Sequence, residues 1–237
     1  MNLFVLSTVC VVSYLLGAIS FSRIAAKKYA PEENWVDSRV VASTTREEFT
    51  LTGISATTIG NRLGEKAGCL VGILDMSKAF VPALALRLLF PEQPYHLAAA
   101  VMAMVGHNWP VYYGFKGGHG YSTVYGGLLA IDPIGAIVSS VVGMALGLFV
   151  VRDFMVAYLS GMWLLIPWMW LRWQDPLMVA YALAVNVIFM LAMIPEIKQV
   201  KSGLEKHGKS DLRTSMQDWP MGRGILKMAD KLNIRLE

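Results

Sequence analysis

Apolar residues gather into seven runs separated by shorter polar interruptions. The runs occupy residues 3–19, 68–89, 97–111, 124–131, 134–151, 154–171 and 177–194. A helix needs roughly 20 residues to cross a hydrocarbon core, and five of the seven come close. The run at 97–111 is short, and the one at 124–131 reaches only half way unless Ser122 and Thr123 are drawn in. The expected fold is all-α: a polytopic membrane protein of about seven transmembrane helices, with two short elements around a glycine-rich loop. Irregular backbone at membrane depth is tolerated only beside protein or water. A site built partway into the bilayer fits that rule. Residues 1–197 are expected to form one membrane domain with a loop at 29–66, followed by a polar tail at 198–237.

Composition agrees. The 237 residues are 55% hydrophobic and 16% charged, with a mean hydropathy of +0.47, more apolar than a soluble domain has reason to be. With seven segments, 18 of the 21 lysines and arginines fall on one side, which the positive-inside rule makes cytoplasmic. The N-terminus is then outside, with the glycine loop and tail inside. The net charge of +4 follows from this asymmetry and does not argue for nucleic acid. The first run lacks a basic region before it and is followed by Arg23, Lys27 and Lys28, so it reads as a retained helix rather than a cleaved signal. Cys10 and Cys69 lie in apolar helices without a partner motif, where packing is the default role.

Candidate chemistry concentrates at residues 106–123, GHNWPVYYGFKGGHGYST. Glycines let a backbone approach a ligand and offer consecutive N–H groups to a phosphate. Lys116 and His119 add charge to Gly117, Gly118 and Gly120, and Ser122 and Thr123 open the next helix. An anion-binding loop is one reading; a tight interhelical turn with an interfacial lysine is the other. Asp75 and Lys78, spaced i, i+3 inside the second run, can pair on one helix face. They either wall a phosphate cavity or form a satisfied buried pair that orients helices. His107 precedes Pro110, which ends or kinks the helix, so it is either a structural anchor or a catalytic group. The tail carries Ile225, Leu226, Met228, Ala229, Leu232 and Ile234 among basic residues. It reads either as an amphipathic helix on an anionic leaflet or as a solvated or partner-bound segment.

The 106–123 segment resembles the GHxxPxxxxFKGGKGxAT motif of the bacterial acyl-phosphate:glycerol-3-phosphate acyltransferases of the PlsY type. Residues 14–21, YLLGAISF, are similar to that family's first-helix YLLGSIPF. Residues 63–68 and 74–80 are similar to its LGKKxG and LDxxKGF pieces, and the order is consistent from about residue 14 to about 203. The resemblance implies an acyltransferase-like membrane domain in a bacterial cytoplasmic membrane. It implies transfer of a fatty acyl group from acyl phosphate to glycerol-3-phosphate, giving lysophosphatidate, with no protein nucleophile. Lys116, His119 and the amides of Gly117, Gly118 and Gly120 would hold one phosphate, and Thr57, Thr58 and Arg62 the other, with the acyl chain between helices. No metal or coenzyme A is implied.

Three places depart from the family pattern. The second lysine of the loop is His119, which carries less charge at neutral pH. The GSGNxGATN segment corresponds to residues 50–58, where Ala56 and Thr57 match but Leu51, Gly53 and Thr58 replace polar positions; Asn61 stands at the arginine position, with Arg62 beside it. The last His-x-x-Asn-Ile element is absent from residues 194–199. An acidic stretch with Glu32, Glu33, Asp37, Glu47 and Glu48 precedes the second phosphate segment. A non-catalytic membrane subunit or lipid-binding scaffold is therefore a second reading. A transporter is a third, against which stands the clustering of polar residues on one face without an inverted repeat.

Overall fold

The computed structural model describes the chain except for residues 33, 34, 36, 37, 42–47, 52, 53, 208–211, 218, 219 and 232–237. Its membrane part comprises α1 (Leu3–Gly17), α4 (Glu65–Leu89), α5 (Tyr95–Asn108), α6 (Tyr121–Ile131), α7 (Pro133–Ala145, continued by a π-helical turn to Val151), α8 (Phe154–Trp173) and α9 (Pro176–His207). Helix α2 (Phe21–Tyr29) follows α1 after a break, and α3 (Ala56–Leu63) precedes α4. Among the described residues, four helices are long and apolar enough to cross a membrane: Leu3–Tyr29, Glu65–Leu89, Pro133–Val151 and Pro176–Pro195. Helix α8 adds 20 residues. Helices α5 and α6, with 14 and 11 residues, are the two short elements expected beside the glycine loop. The polytopic all-helical architecture stands. One addition lies in the 29–66 loop, where Ser38–Val41 and Glu48–Leu51 pair antiparallel, Ser38 facing Leu51 and Val41 facing Glu48. Their valines, phenylalanine and threonine suit a pleated ribbon. Of the acidic residues noted there, Glu33, Asp37 and Glu47 lie outside the described residues.

The outer surface is lipid-like. Leu70, Ile73, Val81, Ile137, Val141, Leu171, Val187 and Leu191 are all exposed, an arrangement that is stable only in hydrocarbon. Helices in lipid gain nothing from apolar contact as such and associate where small residues let backbones close. Here α1 and α5 touch backbone to backbone: a Cβ on Gly17 would overlap the Ala103 carbonyl, and one on Gly106 the Tyr14 carbonyl. The largest core cluster surrounds α6, whose Val124, Leu128 and Ile131 meet Met104 of α5, Met162 and Leu165 of α8, and Val185 and Phe189 of α9.

The far end of α6 is closed by charge. Arg87 of α4 donates to the carbonyls of Ala130 and Ile131 at 2.6 and 2.8 Å. Asp132 accepts from Gly135 N–H, Trp168 Nε1 and Trp173 Nε1, and Arg172 Nε lies 3.2 Å away.

Part of the tail's apolar stripe packs against the protein itself. In α10 (Leu212–Gln217) and α11 (Pro220–Lys231), Leu212, Met216, Leu226 and Ala229 are buried with Leu148 and Ala157 at the α7–α8 end. Ile225 packs partly against the same cluster, and Met228 is exposed. Leu232 and Ile234 lie outside the described residues.

Candidate functional site

Helix α5 stops at Asn108 because Pro110 supplies no N–H and restricts the residue before it. The Tyr14 hydroxyl of α1 holds the exit by donating to the Trp109 carbonyl at 2.8 Å. The chain then makes a 3-10 turn at Val111–Tyr113 and passes through left-handed backbone at Gly114 and Phe115, with φ of 61° and 60°. Positive φ is uncommon for a non-glycine residue. Phe115 is held there by its N–H to the Pro110 carbonyl at 3.0 Å.

From Lys116 the loop folds back on the end of α5. Gly118 N–H donates to the His107 carbonyl at 3.2 Å. A Cβ on Gly117 would overlap that carbonyl, one on Gly118 would lie 2.5 Å from His107 Nε2, and one on Gly120 would overlap Asn108 Oδ1. These glycines are thus required by the protein's own packing, a use distinct from close approach to a ligand. Gly120 takes φ 76°, and α6 begins at Tyr121 without a side-chain cap. The first bond of the helix runs from Val124 N–H to the Gly120 carbonyl. The N–H groups of Tyr121, Ser122 and Thr123 therefore lack intrahelical acceptors, the ordinary condition of a helix start and a natural anion seat. Lys116, earlier in the same loop, is exposed, whereas Thr123 is fully buried.

Beneath the loop lies an ionic knot. Lys78 Nζ is 2.8 Å from Asp75 Oδ1, donates to the Ile19 carbonyl at 2.8 Å and lies 2.9 Å from His107 Nδ1. An ammonium donates and cannot accept, so Lys78 gives protons to the Ile19 carbonyl and His107 Nδ1 while the Asp75 carboxylate lies at ion-pair distance. The Nδ1 of His107 accepts, which places the ring proton on Nε2, facing Gly118. Lys78 and Asp75, 6% and 3% exposed, thereby join the middle of α4 to the C-terminal ends of α1 and α5 and fix the imidazole under the loop. Of the two readings of this pair, the geometry supplies the helix-orienting one directly, and the pair touches the site through His107.

The second set of expected residues lies on α3. Ser55 caps this helix with a reciprocal box: its hydroxyl accepts from Thr58 N–H at 3.1 Å, and Thr58 Oγ1 accepts from Ser55 N–H at 3.3 Å. Thr58 is therefore buried in the cap. Thr57 is half-buried, and Arg62 is exposed with its guanidinium 5.0 Å above the Trp35 ring.

Helix α2 joins the two halves, and sequence reasoning did not single it out. Ser22 donates to the Ile54 carbonyl ahead of α3 at 2.6 Å. Its neighbour Arg23 donates from Nη2 to the Lys116 carbonyl at 2.9 Å, with its guanidinium 5.0 Å from the Tyr113 ring centre. Two consecutive side chains thus tie α3 and the glycine loop to one helix, and Arg23 places a second cation beside Lys116. The available signal was the serine N-cap at Ser20, which sets a new helix start after α1. Arg23→Ala is expected to lower affinity for inorganic phosphate roughly tenfold by calorimetry. Arg23→Lys should recover only part of that loss, because an ammonium cannot both stack on Tyr113 and fork to the carbonyl.

Residues 7–203 match the family model described as glycerol-3-phosphate acyltransferase. The chain is 35% identical over 134 residues to a glycerol-3-phosphate acyltransferase of Halalkalibacterium halodurans, covering 56% of this chain and 59% of that protein. It is 36% identical over 138 residues to one of Aquifex aeolicus, covering 58% and 65%. The matched part thus spans about three fifths of these curated relatives. Crystal structures of PlsY, an integral membrane glycerol 3-phosphate acyltransferase, in its glycerol 3-phosphate and lysophosphatidic acid forms, superpose with a TM-score of 0.68 at 25% identity. They cover 84% of this chain and 92% of theirs. The family match runs through the ionic knot, the loop that rests on it and both tethers from α2: this chain belongs to the glycerol-3-phosphate acyltransferase family.

Proposed function

We propose that this protein transfers a fatty acyl group from acyl phosphate to glycerol-3-phosphate. The observation that carries the reading is the uncapped start of α6 at the end of the loop that presents exposed Lys116, a loop that Arg23 holds at the Lys116 carbonyl. The acceptor's hydroxyl oxygen attacks the acyl carbonyl carbon and the carbon–oxygen bond to phosphate breaks. The hydroxyl proton leaves with the phosphate, and lysophosphatidate and inorganic phosphate result. Both substrates are anionic, so the protein contributes positioning and charge stabilisation. Lys116, His119 and the amides of Gly117 and Gly120 with Ser122 hold one phosphate, and Thr57 and Arg62 hold the other. His107, fixed by Lys78 and Asp75, supports the loop. The N-terminus faces outward, with the loop and tail on the cytoplasmic side, as the distribution of 18 of 21 basic residues supports.

The deciding experiment supplies purified protein in lipid with acyl phosphate and glycerol-3-phosphate and follows phosphate release and lysophosphatidate. His119→Lys is expected to preserve or raise the rate at neutral pH, since it adds a permanent charge to the loop. Folded protein without turnover in either form would replace this reading with that of a non-catalytic membrane subunit.

A further inference from the structure

The segment from residue 204 onward lies beyond the family match, yet it reaches the corner that carries the second phosphate residues. Its two helices are anchored independently of that corner, on Leu148 and Ala157. They close on each other where Gly222 meets the Met216 carbonyl with no room for a Cβ, and Arg213 pairs with Asp230 at 2.8 Å. From this base Arg223 reaches across. Its Nη1 donates to the Gln217 carbonyl at 3.1 Å and its Nη2 to Asn61 Oδ1 at 3.1 Å, while its Nε lies 3.9 Å from Glu65 Oε1.

Those partners lie on opposite sides of a bend. Asn61 is in α3, one turn after Thr57 and next to Arg62. Glu65 opens α4. Gly64 between them takes φ 95° and provides no side-chain cap. A guanidinium is a planar fork with five N–H donors, which allows one side chain to hold both sides of the bend while its own stem is fixed to the tail.

We infer that Arg223 is a positioning residue, which sets the angle between α3 and α4 and so aims Thr57 and Arg62 at the acceptor's phosphate. The kinetic consequence rests on the acyltransferase reading; the structural consequence does not. Exposed contacts of this kind add little to global stability. Loss of Arg223 therefore acts locally, on α3.

The test compares full-length wild type, Arg223→Ala, Arg223→Lys and Asn61→Ala in lipid nanodiscs. Amide hydrogen exchange across residues 56–63 should rise in Arg223→Ala and Asn61→Ala, while α5 and α6 keep wild-type protection. In the transfer assay, Arg223→Ala should raise KM for glycerol-3-phosphate roughly tenfold, with kcat and the KM for acyl phosphate within about twofold. Arg223→Lys should restore part of this change, and a variant with both Arg223→Ala and Asn61→Ala should be no worse than Arg223→Ala alone, because Asn61 acts through Arg223. Unchanged exchange at 56–63 in both variants overturns the inference, even if the wild type shows no turnover. A uniform fall in kcat with accelerated exchange throughout the bundle also overturns it, since a plain structural strut would behave that way.

Discussion

Lys78→Ala is expected to destabilise the folded protein by about 3–5 kcal/mol, the usual effect of removing one partner of a buried ion pair. The alanine leaves the Asp75 carboxylate without its cation at a site 3% exposed, and it removes the donors received by the Ile19 carbonyl and His107 Nδ1. Unfolding in detergent, followed by tryptophan fluorescence, should show the midpoint falling sharply. Asp75→Ala should behave similarly, for the mirror reason. Replacing both, as Asp75→Leu with Lys78→Met, removes the unpaired charge, and most of the stability should return. Activity should not return with it, because His107 then lacks the group that orients its ring beneath the glycine loop. A folded double variant with full turnover would show that the pair only joins helices.

Lys116→Ala is the largest effect expected at the site surface. An ammonium–phosphate contact is charge-assisted and about twice as strong as a neutral hydrogen bond. Its loss at roughly 1.5–3 kcal/mol corresponds to about one to two orders of magnitude in affinity for acyl phosphate. The side chain is exposed and makes no bond to another described residue, so the variant should melt with the wild type. Calorimetric titration with phosphate or acyl phosphate distinguishes the outcomes. Undiminished binding would remove Lys116 from the seat and leave the α6 N-terminus and Arg23 as its components.

Much of the membrane architecture was legible in the sequence because hydrocarbon imposes one-dimensional rules. Apolar runs become helices, and Pro110 and the glycines after it break them. The short elements α5 and α6 were visible as runs too brief to span. The strand pair at 38–41 and 48–51 was hidden by its acidic neighbours, which read as loop. Within the site, Lys116 and the glycines stood out because their types are unusual between apolar segments. Their reason did not: the sequence alone could not show that Gly117, Gly118 and Gly120 are needed to clear His107 and Asn108. Thr58, expected beside a phosphate, also caps α3 by accepting from Ser55 N–H, a role that depends on where α3 starts. Arg23 and Ser22 were missed because their partners are 93 and 32 residues away. No periodicity encodes contacts of that range.

The closed end of α6 bears on how this protein enters a bilayer. Eleven residues rise about 16 Å, roughly half of a hydrocarbon core of about 30 Å. Alone in lipid, such a helix would expose the carbonyls of Ala130 and Ile131 without donors. Those donors belong to Arg87, on a helix made earlier in the chain, and the Asp132 corner is completed by Trp168, Arg172 and Trp173, which emerge later. During synthesis, α6 can therefore settle only after α4 is in place, and its turn into α7 stays open until α8 arrives. Biogenesis has an order written into it: the helix that follows the glycine loop depends on its neighbours to settle in the bilayer.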